Sequence, residues 1–377
     1  MATVPQLNLP IPPELPTQFW QAAATAYTTA GSRWQAGLDR ACLEAILPWI
    51  QSRDANASIW TNAASQPSFW EVVSGSAIDF QSSRLVLIPT TAIDFAELRV
   101  PQEWVDLPSW AGDYYVSIYV DPDESEIQVL GYTTHLKLKQ QGQYDPLDRT
   151  YSLDVEDLLP DINVLWLARQ LCPTEILKAP LNPLPQMSLE QATNLLDRLG
   201  DVDILRPRLA VPFSLWGALM EHGGWRRQLY QNRLGLPASS SVSEWFQTGV
   251  SRFAQQLGWD TRSMEPSLAL ARGTNLSTTQ TLLRPLMIAG AAYELRVFPK
   301  GQDLWRFELH GTSGKPIQPG FKLRLLTEDL LPFANNEDLT LTEIDRLFLE
   351  VRLSPGDGLV WEIEPRPDLF DREILRF

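Results

Sequence analysis

Tyr114-Tyr-Val-Ser-Ile-Tyr-Val120 runs through Asp121-Pro-Asp-Glu-Ser125 into Glu126-Ile-Gln-Val-Leu-Gly-Tyr-Thr133. Tyr114, Val116, Ile118 and Val120 alternate with Tyr115, Ser117 and Tyr119, the period-two pattern of a strand that buries one face. Proline and acids fill the next five positions, after which Ile127, Val129 and Gly131 again share a face. These residues predict an antiparallel hairpin. Leu85 to Ile88 reads as a further strand. Upstream the period changes to 3.6: Trp34, Leu38, Ala41, Cys42, Ala45, Ile46 and Trp49 form one apolar stripe, with Arg33, Asp39, Arg40 and Glu44 elsewhere. Pro48 is expected to kink or end that helix. An extended lead with Pro5, Pro10, Pro12, Pro13 and Pro16 precedes a shorter helical spacing at Phe19, Ala23 and Tyr27. Residues 1–150 therefore read as an α+β domain, helices on a small antiparallel sheet.

Downstream of the hairpin, residues 151–265 are mainly helical. Leu158, Ile162 and Leu165 share a stripe before Pro173, and Ser188 with Gln191 has the form of a capping box for a helix ending at Gly200. Phe213 to Gly235 is helical with a break at Gly223-Gly224, and another helix is expected from Ser243 to Gly258 after the joint Ser239-Ser240-Ser241. From residue 266 to 377 short alternating runs at hairpin spacing, divided by Gly and Pro turns, predict an antiparallel sandwich-like β domain. Its boundary is expected in the polar stretch Thr274 to Thr281.

The chain of 377 residues carries 14 tryptophans but only three histidines and two cysteines. Large rings supply packing and interface area, whereas proton transfer near neutral pH and metal ligation lean on histidine and thiolate. This is a composition suited to binding. A net charge of −15 disfavours nucleic acid and anionic membranes as partners. No apolar run approaches the length of a membrane span, and the N-terminal residues lack the pattern of a secretory signal, so a cytoplasmic location is expected. Cys42 and Cys172 are expected to be buried small hydrophobes.

Motifs for chemistry are sparse. His135, His222 and His310 lie in separate segments, and neither HExxH nor paired CxxC occurs, so no metal and no cofactor are predicted. Asp121 to Glu126 lacks the glycine of a calcium loop and sits between strands. Gly311-Thr-Ser-Gly-Lys315 precedes a proline where a phosphate loop precedes a helix. His222-Gly-Gly-Trp225 has no GxSxG partner for esterase chemistry. No catalytic residue is assigned.

Between Ile204 and Gly235 five arginines (Arg206, Arg208, Arg226, Arg227 and Arg233) face a single acid, Glu221. On a helix Arg226, Tyr230 and Arg233 recur at i, i+4 and i+7, with Trp225 and Arg227 beside them. Two readings stand: arginines paired with acids of neighbouring domains, or a partner surface built as interface hot spots are. Trp225, Arg226, Arg227, Tyr230 and Arg233 are the candidate partner-binding residues.

Several short words point to one family: Leu7-Asn-Leu-Pro-Ile-Pro12, Cys42-Leu-Glu-Ala-Ile-Leu-Pro-Trp49, Val100-Pro-Gln-Glu-Trp104, the hairpin strands Tyr114 to Val120 and Val129-Leu-Gly-Tyr132, Pro319-Gly-Phe-Lys-Leu-Arg-Leu-Leu326 and Arg372-Glu-Ile-Leu-Arg-Phe377. Over nearly its whole length the chain resembles the cyanobacterial family of domain of unknown function 1822. Its loop Gly356-Asp-Gly358 stands where the family usually has Gly-Glu. The resemblance implies a soluble cyanobacterial protein and brings no established activity or catalytic residue. The family's genetic proximity to alternative sigma factors and signalling proteins implies regulation.

The expectation is a non-catalytic, cytoplasmic interaction or regulatory protein whose unknown protein partner is a transcription or signalling component. The alternatives are a hydrolase or transferase whose carboxylates converge in three dimensions, and a single-strand nucleic-acid binder using the Arg/Trp helix. A cleft with two carboxylates of shifted pKa would favour the enzyme; a flat Arg and Trp patch would favour the binder.

Overall fold

The computed structural model describes residues 7–13, 25–92, 96–237, 241–264 and 279–377. The helical spacing at Phe19 and Ala23, the joint at Ser239-Ser240 and residues 274–278 of the expected boundary lie outside the described residues. The fold is α+β. It divides into two compact units, Met1–Leu236 and Pro237–Phe377, where the sequence pattern marks three segments.

In the first unit the elements are β1 (Leu7–Pro10), α1 (Ala30–Gln51), β2 (Ser58–Ile59), α2 (Gln66–Trp70), β3 (Ser76–Phe80), β4 (Ser83–Thr90), β5 (Glu97–Pro101) and α3 (Gln102–Asp106). Then come β6 (Tyr114–Asp121), β7 (Glu126–Thr134), α4 (His135–Gln141), β8 (Gln143–Asp145), β9 (Thr150–Asp154), α5 (Asn163–Leu171), α6 (Leu189–Leu199), α7 (Phe213–Glu221) and α8 (Gly223–Arg233). β6 and β7 form the predicted hairpin, with a bulge at Ser117/Ile118. Their sheet has six strands in the order β1-β7-β6-β4-β3-β2, and β4 pairs with β6 in parallel. The sheet is thus mixed where an antiparallel one was expected. A parallel pair needs a crossover, which the segment carrying β5 and α3 supplies; local periodicity does not carry that information.

α1 starts at the capping box of Thr29 and Ser32 and buries Leu38, Ala41, Cys42, Ala45 and Ile46, as its stripe predicts. It runs past Pro48 to Gln51, because the missing N–H falls in the last turn and costs the helix one terminal hydrogen bond. Asp39, assigned by its charge to the polar side, is fully buried, and its Oδ1 accepts the Gly75 N–H at 2.8 Å. The Gly75 carbonyl accepts from Trp70 Nε1 at 3.2 Å. Gly75 has φ +109, and a Cβ there would lie 2.6 Å from Trp104 Nε1, so both conformation and space call for glycine. Around it Trp60, Phe69, Trp104 and Trp110 pack with centroids 4.7 to 5.9 Å apart.

The second unit contains α9 (Val242–Thr248), α10 (Arg252–Gln256), β10 (Asp260–Met264), β11 (Thr279–Ile288), β12 (Ala291–Pro299), β13 (Leu304–Gly311), β14 (Lys322–Thr327), β15 (Glu337–Leu339), β16 (Arg346–Arg352), β17 (Gly358–Glu364) and β18 (Ile374–Arg376). Two antiparallel sheets form, β10-β11-β12-β13-β16 and β15-β14-β17-β18. The single helix expected from Ser243 to Gly258 is two short ones, divided at Gly249 with φ +92. Thr279 to Thr281 belong to β11, paired with β10, so the expected boundary cuts into a sheet. Trp259 stands edge-on to Trp361 and donates to Glu373 Oε2 at 3.1 Å.

Candidate functional site

The five residues singled out on α8 face the interior. Trp225, Arg226 and Arg233 are each 2% exposed and Arg227 is buried. His222 caps the helix by accepting the Trp225 N–H, and its ring stacks on the Trp225 indole at 4.2 Å. Arg226 donates to the Met220 carbonyl at 2.9 Å and Ser68 Oγ at 3.2 Å, with its guanidinium 3.7 Å over the Phe69 ring. Arg233 pairs with the buried Glu71 at 3.0 Å and donates to the carbonyls of Leu199, Asp201 and Ile204, which closes the end of α6. Tyr230, half-buried, donates to the Ala26 carbonyl at 2.9 Å, and burial with Glu71 nearby pushes its hydroxyl up to about 12. Helical phase did gather Arg226, Tyr230 and Arg233. It could not tell which way that face points, and this face lies against α2, α6 and α7.

Arg208 is likewise engaged, donating to both oxygens of the fully buried Glu103 at 2.9 and 2.6 Å while Trp216 Nε1 reaches Oε1 at 2.8 Å. Burial opposes the charge of Arg208, but Glu103 outweighs it and holds the guanidinium above its ordinary range. Of the five arginines between Ile204 and Gly235, Arg206 alone is exposed.

The arrangement closest to acid/base machinery is Lys139, whose Nζ lies 2.9 Å from Asp106 Oδ1 and 2.7 Å from the Tyr151 hydroxyl. Burial works against the Lys139 charge, yet Tyr151 and Asp106 raise its pKa, and burial raises that of Tyr151. Ammonium and phenol are therefore both held in their resting protonation states, the opposite of an activated base. Carboxylates with shifted pKa are scattered: Asp39, raised by burial, in α1; Asp148, lowered despite burial by Thr150 and Arg99, before β9; Glu308, lowered despite burial by His310 and Arg306, in β13. A groove of about 290 Å³ beside α1 is mainly apolar, lined by Tyr27, Leu43, Leu47, Ile59 and Trp70, with the Arg40–Glu44 pair at its rim. Among the described residues no group of three or more His, Cys, Asp or Glu is placed to hold a metal, and no helix is long and apolar enough to cross a membrane.

The accessible candidate is α5. Leu165 is buried, and Trp166 packs edge-on against Phe80 at 4.9 Å and lies 6.1 Å from Trp49. Val164, Leu167 and Leu171, at i, i+3 and i+7 on the opposite side, are 43, 53 and 70% exposed. Ile176 and Leu159, which flank α5 in the chain, are 73 and 44% exposed. Apolar residues thus lie on two sides of α5, and one of those sides is exposed. Its signal lay in the sequence, since Val164, Leu167 and Leu171 fall off the Leu158-Ile162-Leu165 stripe. Cys172, expected to be buried, is exposed at the end of α5, because that helix stops at Leu171 and leaves the thiol outside the packed face; Cys42 is buried.

A family model described as "Protein of unknown function (DUF1822)" matches residues 9–376. The chain belongs to that family. No curated protein and no solved structure matches it. Membership in DUF1822 brings no catalytic residue to set against this geometry, so the functional reading rests on the surfaces just described.

Proposed function

We propose that this DUF1822 member is a soluble, non-catalytic interaction protein, cytoplasmic and of cyanobacterial origin, that acts through protein–protein contacts in regulation. The observation that supports it is the uncovered apolar face of α5. Contiguous exposed apolar surface on a polar protein marks an interaction site. The dispersal of the shifted carboxylates and the resting state of the Lys139–Tyr151 pair favour this reading over an acid/base enzyme, and the inward face of α8 removes the support for nucleic-acid stacking. The candidate surface moves accordingly from Trp225–Arg233 to Val164, Leu167 and Leu171.

Capture from a lysate by the intact chain and by the double variant Leu167→Gln, Leu171→Gln tests it. Both substituted side chains are more than half exposed, so the variant is expected to fold and to lose the proteins that the wild type retains. An identical set of retained proteins, or none above control, would remove the proposal.

A further inference from the structure

We infer that residues 173–187 form a strap that neutral His135 latches onto the first unit and that protonation of this ring releases; the inference is independent of what α5 meets. The strap joins α5 to α6 and has no helix or strand of its own. Pro173, Pro180, Pro183 and Pro185 deny it four amide donors, and of its residues Leu177 and Met187 alone are buried. Its backbone meets α4 at two points. The Leu177 carbonyl accepts the Leu136 N–H at 2.7 Å, and the Ala179 N–H donates to His135 Nδ1 at 3.1 Å.

These bonds fix the state of the imidazole. An amide N–H only donates, so Nδ1 carries no proton; the Val105 carbonyl, 2.8 Å from Nε2, only accepts, so Nε2 carries one. His135 is fully buried, and a second proton has one place to go, Nδ1, where it meets the Ala179 N–H donor against donor. The surrounding charges act with this geometry. Burial, with Lys178 of the strap and Lys139 of α4 nearby, lowers the His135 pKa, and the Val105 carbonyl and Asp106 oppose that shift without cancelling it. Asp106, in α3, is already engaged by Lys139 at 2.9 Å and by the Tyr151 hydroxyl at 2.9 Å. Asp113, in the loop before β6, accepts the His135 N–H through its carbonyl at 3.0 Å, while its carboxylate meets Lys178 at 3.5 Å and the Arg84 N–H at 2.7 Å. From β6 the Tyr115 ring stands 6.2 Å away, its hydroxyl donating to the Trp104 carbonyl and held protonated by burial. A proton on His135 therefore costs the strap one of its two bonds to α4 and sets a second cation near Lys178. The latched ring holds fewer protons than a released one, whose pKa returns to about 6.5. The latch is thus indifferent to pH well above that value and weakens as pH falls through it, by up to about tenfold per pH unit until the lowered pKa is reached.

The test follows amide exchange in the full chain, expressed as protection factors so that the intrinsic pH dependence of exchange is removed. Between about pH 7.5 and 5.5 the protection of Ala179 and Leu136 should fall together, about fivefold or more, while amides of β11 to β13 keep theirs. In protein labelled with nitrogen-15 in its three histidines, the His135 ring should take up its proton over the same pH range. His135→Asn keeps an acceptor for the Ala179 N–H and cannot be protonated, so its strap should be equally protected at both pH values. Strap protection that does not change with pH in the wild type, a loss at Ala179 with Leu136 unchanged, a ring that stays neutral while the strap opens, or the wild-type pH dependence in His135→Asn overturns the inference. The first three outcomes use the wild type alone and decide the matter if the buried substitution prevents folding.

Discussion

Replacing Arg233 by alanine separates a surface arginine from a structural one. Its side chain is 1% exposed and that of its partner Glu71 is fully buried. Truncation removes the charged partner of the Glu71 carboxylate, leaving it the bonds from the Thr28 amide and hydroxyl, and leaves the carbonyls of Leu199, Asp201 and Ile204 without this donor. Breaking a buried pair by removing one partner costs about 3 to 5 kcal/mol. Tyr230→Phe removes one hydrogen bond and should cost about 1 kcal/mol, and Arg206→Ala, at an exposed position, less than about 0.5 kcal/mol. Because the chain has two units, one global midpoint is a poor measure, and native-state hydrogen exchange read peptide by peptide is the better assay. Peptides of α2, α6 and α8 in Arg233→Ala should exchange more than about a hundredfold faster, while those of β11 to β17 keep their wild-type rates. Adding Glu71→Gln should restore part of the loss, because the unpaired charge is then gone. A loss below about 1 kcal/mol, the range of exposed pairs, would refute the buried network and return Arg233 to the list of partner contacts.

Asp39→Asn keeps an oxygen for the Gly75 N–H and removes the charge that burial disfavours. Since burial raises the Asp39 pKa in the folded state, the wild type loses stability as pH climbs above the unfolded value of about 3.9; the variant's advantage in urea should widen from there toward neutrality, and a constant difference across pH would contradict it. Glu308 has the reverse sign. Its lowered folded pKa contributes stability present above the unfolded value of about 4.3 and lost as pH falls through the folded one, so Glu308→Gln should flatten the acid limb of the second unit; an unchanged limb would count against the His310 and Arg306 contacts. Residues 237–377 expressed alone should unfold cooperatively, whereas a fragment starting at Thr281 lacks β10 and Trp259 and should not; cooperative folding of the shorter piece would place the boundary in the Thr274 to Thr281 stretch. Exhaustive dialysis against EDTA should leave hydrogen exchange in both units unchanged, and a loss of protection reversed by one divalent ion would reveal a metal site.

The sequence by itself determined the elements whose evidence is local. The β6–β7 hairpin, the stripe of α1, the capping box of Ser188 and Gln191, the break between α7 and α8 and the run of short alternating strands in the second unit follow from periodicity and turn chemistry within about ten residues. Tertiary structure decided what depends on contacts distant in the chain. The parallel pairing of β4 with β6 needs a crossover that neither strand encodes. Asp39 and Arg233 carry charges that composition assigns to water, and each is inside because a partner 36 or 162 residues away, Gly75 or Glu71, meets its polar atoms. The same distant contacts exchanged the candidate surfaces: α8, with arginines and aromatics on one face, is turned inward, while α5, apolar on both sides, has only one side covered. Helical phase fixes which residues share a face. Only the packing of the other elements fixes which face meets water.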